Sequence, residues 1–254
     1  MPTIKEIRNF GQTLKNVLNL DGYPVGVRFL TDDFPVNDAI PAEGHRYCQA
    51  AMKARHGQHI LVNADTISCP AAARAFGFRQ LPEKLKSGKG LVKFGITNVD
   101  SVGKSMFENM PTLEMGQIKS IDLFPLNMAE DIPDIVFVED KVEKLMWILL
   151  GYMHSIGGKR VESSTVVLQA ICVDSTIIPY INNSMNFSYG CYGCRDATDI
   201  GPGEASLGFP VNYLPEITEH VKYLGEKAIP HSREKNALRT LQEKDNQSTS
   251  CESQ

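Results

Sequence analysis

The sequence predicts a single mixed α/β domain, with a mixed sheet covered by helices. Three observations lead there. Ile4, Ile7, Phe10, Leu14, Val17 and Leu18 recur at helical spacing, the mark of an amphipathic helix. Val25, Val27 and Phe29 alternate along residues 24–30 as one face of a strand. The run Pro133-Asp134-Ile135-Val136-Phe137-Val138 is continuously apolar after its first two residues, as buried strands are, and leads into a helical pattern over residues 141–156.

Each element can be justified in order. The first helix is expected to end near Asp21-Gly22, ahead of the strand at 24–30. A polar loop follows over residues 31–44. Residues 47–55 are alanine-rich and read as a short helix, and residues 59–63 as a strand. Cys69 occupies an N-cap position before Pro70-Ala71-Ala72-Ala73, with proline at the first helical position it favours. Residues 91–97 read as a strand after the glycine turn Ser87-Gly88-Lys89-Gly90. The helix at 141–156 is expected to bury Val142, Leu145, Met146, Leu149 and Leu150, to hold Trp147 in the core, and to stop at Gly157-Gly158. Residues 166–173 fit helix or strand equally, because so short a run does not show its period. With no repeat and no clear linker, residues 1–230 form one expected domain, and residues 231–254 a polar C-terminal helix and tail.

Composition excludes some functions. A chain of 254 residues can bury a sizeable core. Its net charge of −4 argues against an extended nucleic-acid-binding surface. No apolar run approaches the roughly 18 residues of a membrane span. The N-terminal residues carry no apolar signal core. The expected setting is the cytoplasm, where thiols stay reduced and structural disulfides are rare. A homo-oligomer is left open, since an apolar contact face cannot be told from core by sequence.

In such a setting the cysteines need an explanation. Cys191 and Cys194 sit in Gly190-Cys191-Tyr192-Gly193-Cys194-Arg195, a glycine-flanked turn that aims two sulfurs at one point. Cys48, Cys69 and Cys172 lie upstream at wide spacing, and Cys251 lies in a polar tail. Isolated cysteines in reduced proteins are ordinarily small buried hydrophobes. A shared iron–sulfur cluster is the preferred explanation, with Cys69 beginning a helix whose dipole stabilises anionic sulfur, although the Cys-x-x-Cys-x-x-Cys run of a bacterial ferredoxin is absent. Zinc takes the same ligands, but no second Cys-x-x-Cys and no His-x-x-x-His partner is present. Any site therefore gathers single cysteines from distant elements.

These residues resemble domain of unknown function family 169, the ArCR family of archaea and anaerobic bacteria. The landmarks are Tyr47-Cys48 before a small-residue helix, Cys69 before an alanine-rich helix and Gly77, Pro125-Leu126, Pro133-Asp134-Ile135-Val136, the lone Cys172, and the Gly190–Arg195 turn. The resemblance covers the chain from Pro24 to the region of Pro210. It implies cluster ligation by cysteine. The family pattern Gly-Cys-x-Gly-x-Arg places its cysteine on Cys191 and leaves Cys194 at a variable position. The implied ligands are then Cys48, Cys69, Cys172 and Cys191, with Cys194 as an alternative or near neighbour. Arg195 is implied beside the cluster, where a guanidinium offsets charge or holds an anionic substrate.

Other candidates carry less. Ser87-Gly88-Lys89-Gly90 lacks the pattern of a phosphate loop. Glu204 is expected in a turn, and His45, His56 and His59 in surface or capping roles. Met106, Met110 and Met115 suggest adaptable packing or a substrate-facing loop. Three functions remain open. The first is a 4Fe–4S protein working with a redox partner in an anaerobic pathway. The second is an enzyme whose cluster keeps one iron open to a small-molecule substrate. The third is a zinc or dithiol protein.

Overall fold

The computed structural model describes residues 1–32, 36 and 38–251, with side chains through residue 244. The end of the tail and the side chain of Cys251 lie outside the described residues, as does part of the loop at 31–44. Within them, seven strands form one mixed sheet in the order β2-β3-β4-β1-β5-β7-β6. The strands are β1 (Val25–Leu30), β2 (Ile40–Pro41), β3 (Ile60–Asn63), β4 (Ser120–Pro125), β5 (Ile135–Lys141), β6 (Asn186–Ser188) and β7 (Glu204–Pro210). Only the short β2–β3 pair is parallel among them.

Strand alternation sends side chains to two separate cores. Val25, Val27, Ile121, Leu123, Ile135 and Phe137 face one core. Phe124, Val136, Val138, Leu207 and Phe209 face the other. The second core is closed by α1 (Ile4–Leu18), α7 (Val142–Ser155) and α10 (Leu214–Glu226), which pack on one another. Thr3 caps α1 through a reciprocal capping box with Glu6. The first core carries α2 (Tyr47–Arg55), α3 (Pro70–Ala75), α4 (Glu83–Lys86), α5 (Lys89–Lys93), α6 (Asp100–Glu108), a π-helical segment, Ala170–Ile177, and α8 (Ile178–Asn182). All five described cysteines lie on this side.

Several expectations change. Residues 91–97 are not a strand. Gly88, at φ 81, starts α5, Gly90 packs against Leu85, and Gly95 ends it in the left-handed region. The α7 face is rotated from the expected one: Leu145, Trp147, Ile148, Gly151 and Tyr152 are buried, while Val142, Met146 and Leu150 are exposed. Apolar residues flank both sides of α7, so periodicity alone does not fix its inner face. The close approach of α10 at Gly151 fixes it, where an added Cβ would meet the Ile217 carbonyl oxygen at 3.0 Å. Glu204 opens β7 rather than sitting in a turn. The tail region forms α11 (Ala228–Glu234) and α12 (Asn236–Cys251), which is exposed through residue 244.

Strand β4 is unmarked in the sequence because two of its buried residues, Ser120 and Asp122, are polar. Asp122 is held by His59 at 2.6 Å. That hydrogen bond pushes the His59 pKa up, against a smaller opposing effect of burial. Among the described residues, no helix is long and apolar enough to cross a membrane.

Candidate metal centre

Four separate segments deliver the thiols. Cys48 sits in the first turn of α2. Cys69 is the N-cap of α3, with Pro70 at its start, as the sequence predicts. Cys172 lies in the π-helical segment, which follows Gln169 in the left-handed conformation. Cys191 caps α9 (Tyr192–Ala197), its Sγ accepting the Cys194 backbone N–H at 3.1 Å. Gly190 makes the preceding turn at φ 83. Three bonds tie these segments together, among them Gln49 Nε2 to the Ala197 carbonyl at 3.1 Å. The Tyr47 hydroxyl and Thr176 Oγ1 lie 3.1 Å apart and join α2 to the π-helix, and Arg46 Nη1 donates to the Gly193 carbonyl at 3.1 Å.

All five thiols line one cavity of about 510 Å³. Its remaining wall includes Leu91, Phe107, Leu168, Gln169 and Tyr192. Cys48, Cys172, Cys191 and Cys194 are buried, and Cys69 is half-buried. Cys191 and Cys194 Sγ lie 2.9 Å apart. The five do not close into a compact ligand sphere: among the described residues, no three thiols lie within 4.8 Å of one another. A tetrahedral zinc with bonds of about 2.3 Å needs sulfurs about 3.8 Å apart. The thiols are therefore not placed as the preformed ligands of a single tetrahedral ion.

Backbone N–H groups partly offset the burial of two sulfurs: that of Cys194 donates to Cys191 Sγ at 3.1 Å, and the Ala170 and Ile171 backbones act to lower the Cys191 and Cys194 pKa respectively. Amide donors on sulfur are a principal means by which proteins hold and tune clusters. Gln169 is buried, and its Oε1 has no hydrogen-bond partner. Without a metal, three thiols hold their protons. Burial, then the neighbouring Cys69, Cys194 and Cys191, push Cys172 well above its ordinary pKa. Its bond with Cys194, then burial, raise Cys191. For Cys194 the Cys191 bond acts downward, but bonding to Cys48 and burial outweigh it and push the pKa to about 12. A redox dithiol needs an exposed, low-pKa thiolate. These are the opposite conditions.

Arg195 lies beside Cys191: the two line a smaller pocket with Gly190 and Tyr192, outside the five-thiol cavity. Its guanidinium donates to the carbonyls of Tyr189 at 2.6 Å, Glu204 at 2.8 Å and Gly201 at 3.0 Å. It clamps the loop that carries Cys191, and the cation nearest the thiol cavity is Arg46, which lines it. None of the histidines lines the cavity among the described residues. His45 bonds the Glu43 carbonyl and His56 pairs with Asp199. Met106 and Met110 line a neighbouring groove, and Met115 is exposed. Sequence reading missed Gln169 and Arg46. Gln169 gave no signal, because its left-handed backbone is set by the fold.

A family model described as uncharacterised ArCR, domain of unknown function 169, matches residues 13–220. The chain belongs to this family. An uncharacterised protein of Methanocaldococcus jannaschii is 28% identical over 225 residues, covering 87% of this chain and 95% of the relative. No solved structure matches the chain.

This ArCR chain holds a second group of metal-ligand type, Asp21, Asp140 and Glu204. Its charges are already matched. Lys144 Nζ lies 2.8 Å from Asp21 and 2.9 Å from Asp140, and Arg55 lies 3.5 Å from Glu204. Beside it, neither carboxylate oxygen of buried Glu139 has a hydrogen bond. Burial, partly opposed by Arg55, pushes the Glu139 pKa up to about 8 from 4.5. The folded chain thus holds this proton more tightly than the unfolded one. The stability it contributes is full below pH 4.5 and is lost as pH rises to about 8. The slope it adds is at most about 1.4 kcal/mol per pH unit. Glu139→Gln is expected to flatten the fall in urea-unfolding stability across that window. An unchanged profile would show that Glu139 ionises normally.

Proposed function

We propose that the protein binds an iron–sulfur cluster, of the 4Fe–4S type, in the five-cysteine cavity and serves electron transfer in an anaerobic redox pathway. The observation that carries this reading is the convergence of five thiols from four segments on one cavity, with the Cys194 backbone N–H donating to Cys191 Sγ. Cys48, Cys69, Cys172 and Cys191 are the proposed ligands, with Cys194 the alternative to Cys191. A bound cluster supplies one-electron redox chemistry at a potential set by hydrogen bonds to sulfur and by burial. The chain's own part is to place the thiols, exclude water with Leu91, Phe107 and Leu168, and release their protons on loading. The cytoplasm and a redox partner protein complete the proposal.

A second reading, an enzyme with one iron open as a Lewis acid, is favoured by two features. The cavity is about 510 Å³, within the range of about 300–1,000 Å³ of small-molecule sites. Cys69 is also the one half-buried thiol among the five.

The test is iron, acid-labile sulfide and zinc per chain on protein purified without oxygen, with electron-spin spectra before and after reduction. About four iron and four sulfide per chain are expected. Stoichiometric zinc without iron or sulfide, after anaerobic reconstitution, would replace the cluster with a zinc site.

A further inference from the structure

Helices α4 and α5 carry an unbalanced positive charge beside the cysteine cavity. Residues 83–93 hold Lys84, Lys86, Lys89 and Lys93 against Glu83 alone, in a chain whose net charge is −4. All four lysines are exposed, and among the described residues none of them forms an ion pair. The other charges around the cavity are matched. Arg46 and Asp196 both line it and lie 3.8 Å apart, and Lys104 of α6 pairs with Glu108 at 3.4 Å. Glu83 and the exposed Asp100 of α6 offset half of the lysine charge, and the face stays positive.

This charge borders the thiols. Leu85 of α4 and Leu91 of α5 line the cavity, and so does Phe94, which follows Lys93 directly. Helices α4, α5 and α6 pack on one another, which keeps the lysines together. Lys89 and Lys93 stand four residues apart, on one side of α5. Two large rings edge the same cavity in solvent: Phe94 is 62% exposed and Tyr192 60%. Exposed aromatic groups within a charged rim are the composition of a protein interface, whose centre is rich in tyrosine and phenylalanine. Redox encounters are at the small end of such interfaces, so a patch of this extent suffices.

We propose that this face docks a small acidic one-electron carrier protein, with the four lysines steering its carboxylates and Phe94 and Tyr192 seating its apolar centre over the cavity. Charge complementarity selects an acidic partner. The compactness of the lysine group favours a protein over a nucleic-acid strand, whose backbone needs a cationic groove along its length. The proposal rests on the cluster reading for where the electron goes, and on the lysines alone for docking. One electron passes between carrier and cluster, one being oxidised as the other is reduced, and no bond forms or breaks.

An acidic plant-type ferredoxin, fluorescently labelled, is the probe. Its association with metal-free and with anaerobically reconstituted protein is followed by stopped flow across a range of salt. The association rate is expected to fall steeply as salt rises, because exposed charges are screened. Lys89→Glu combined with Lys93→Glu should slow association about tenfold, the low end of electrostatic steering. Lys5→Glu combined with Lys227→Glu makes the same charge change on the side of the other core, and should slow it far less. Phe94→Ala should speed dissociation with the salt dependence intact, since it removes contact and no charge. Absence of a complex, indifference to salt, or equal slowing by the two double variants would overturn the proposal. So would tighter binding of a single-stranded oligonucleotide than of ferredoxin. Iron and sulfide measured on the same samples keep the readings apart. A lysine-dependent complex with protein that takes up no iron or sulfide overturns the cluster alone, and a cluster without that complex overturns the docking alone.

Discussion

Cys172→Ser is expected to abolish cluster retention while leaving the chain folded. Cys172 is the most deeply set of the raised thiols: burial first, then Cys69, Cys194 and Cys191, push its pKa up. A serine hydroxyl is a harder donor than sulfur and gives up its proton far less readily, so it is a poor ligand for iron. Loss of an outer-shell partner alone costs roughly tenfold or more in metal affinity. Iron and sulfide per chain should fall at least that far. The apo protein should be little affected, because a buried protonated thiol contributes packing rather than charge. The other four cysteines give the comparison. Five thiols and four ligand places leave one spare. The series should therefore show four damaging substitutions and one tolerated, with Cys191 and Cys194 competing for the last place. Unchanged iron and sulfide in all five serine variants would end the assignment of these thiols as the cluster's ligands.

Gly208→Ala is expected to be the most disruptive single methyl addition near the site. Gly208 lies in β7 between Phe137 of β5 and Asn186 of β6. A Cβ there would stand 1.8 Å from the carbonyl oxygen of Ser175. That atom belongs to the π-helical backbone and has no rotamer to change. The segment must shift, breaking the 2.8 Å Ser175–Ser206 contact and the 2.7 Å bond from Asn186 Nδ2 to the Asp174 carbonyl. Overpacking of this kind costs about 3 kcal/mol or more. It also moves Cys172 away from its neighbours, so metal content should fall with stability. Gly193→Ala is the control. Its Cβ would meet nothing nearer than Arg46 Nη1 at 3.7 Å and Cys191 Sγ at 3.9 Å. Urea midpoints should drop sharply for the first variant and stay near wild type for the second. Equal midpoints would mean that the π-helix yields freely.

The two glycines show where sequence reading succeeds and fails. Gly193 draws notice because it lies between two cysteines, yet its Cβ space is ordinary. Gly208 lies in a strand that no pattern marked, and its missing side chain is what lets the π-helix touch the sheet. Local signals were sound where the cause is local. Pro70 after Cys69 sets a helix start, and Gly190 before Cys191 allows a left-handed turn. They failed where a distant partner decides. Residues 91–97 look like a strand until Gly88 and Gly95 bracket a short helix packed on Leu85. Ser120 and Asp122 make β4 look like loop until His59 pairs the carboxylate. Arg195 follows the cysteine turn in the sequence, but its bonds to three loop carbonyls appear only in the fold.

By itself, the sequence determined the mixed α/β class, the helix starts at Cys48 and Cys69, the Cys191–Cys194 turn and, through its landmarks, the ArCR family. Those depend on backbone preferences and periodicities spanning a few residues. The tertiary structure alone decided that five thiols face one cavity, that Gln169 is buried with its Oε1 unpaired, and that Arg195 serves a loop. Those depend on which groups long-range packing leaves beside one another, and on which buried polar atoms it leaves without a partner.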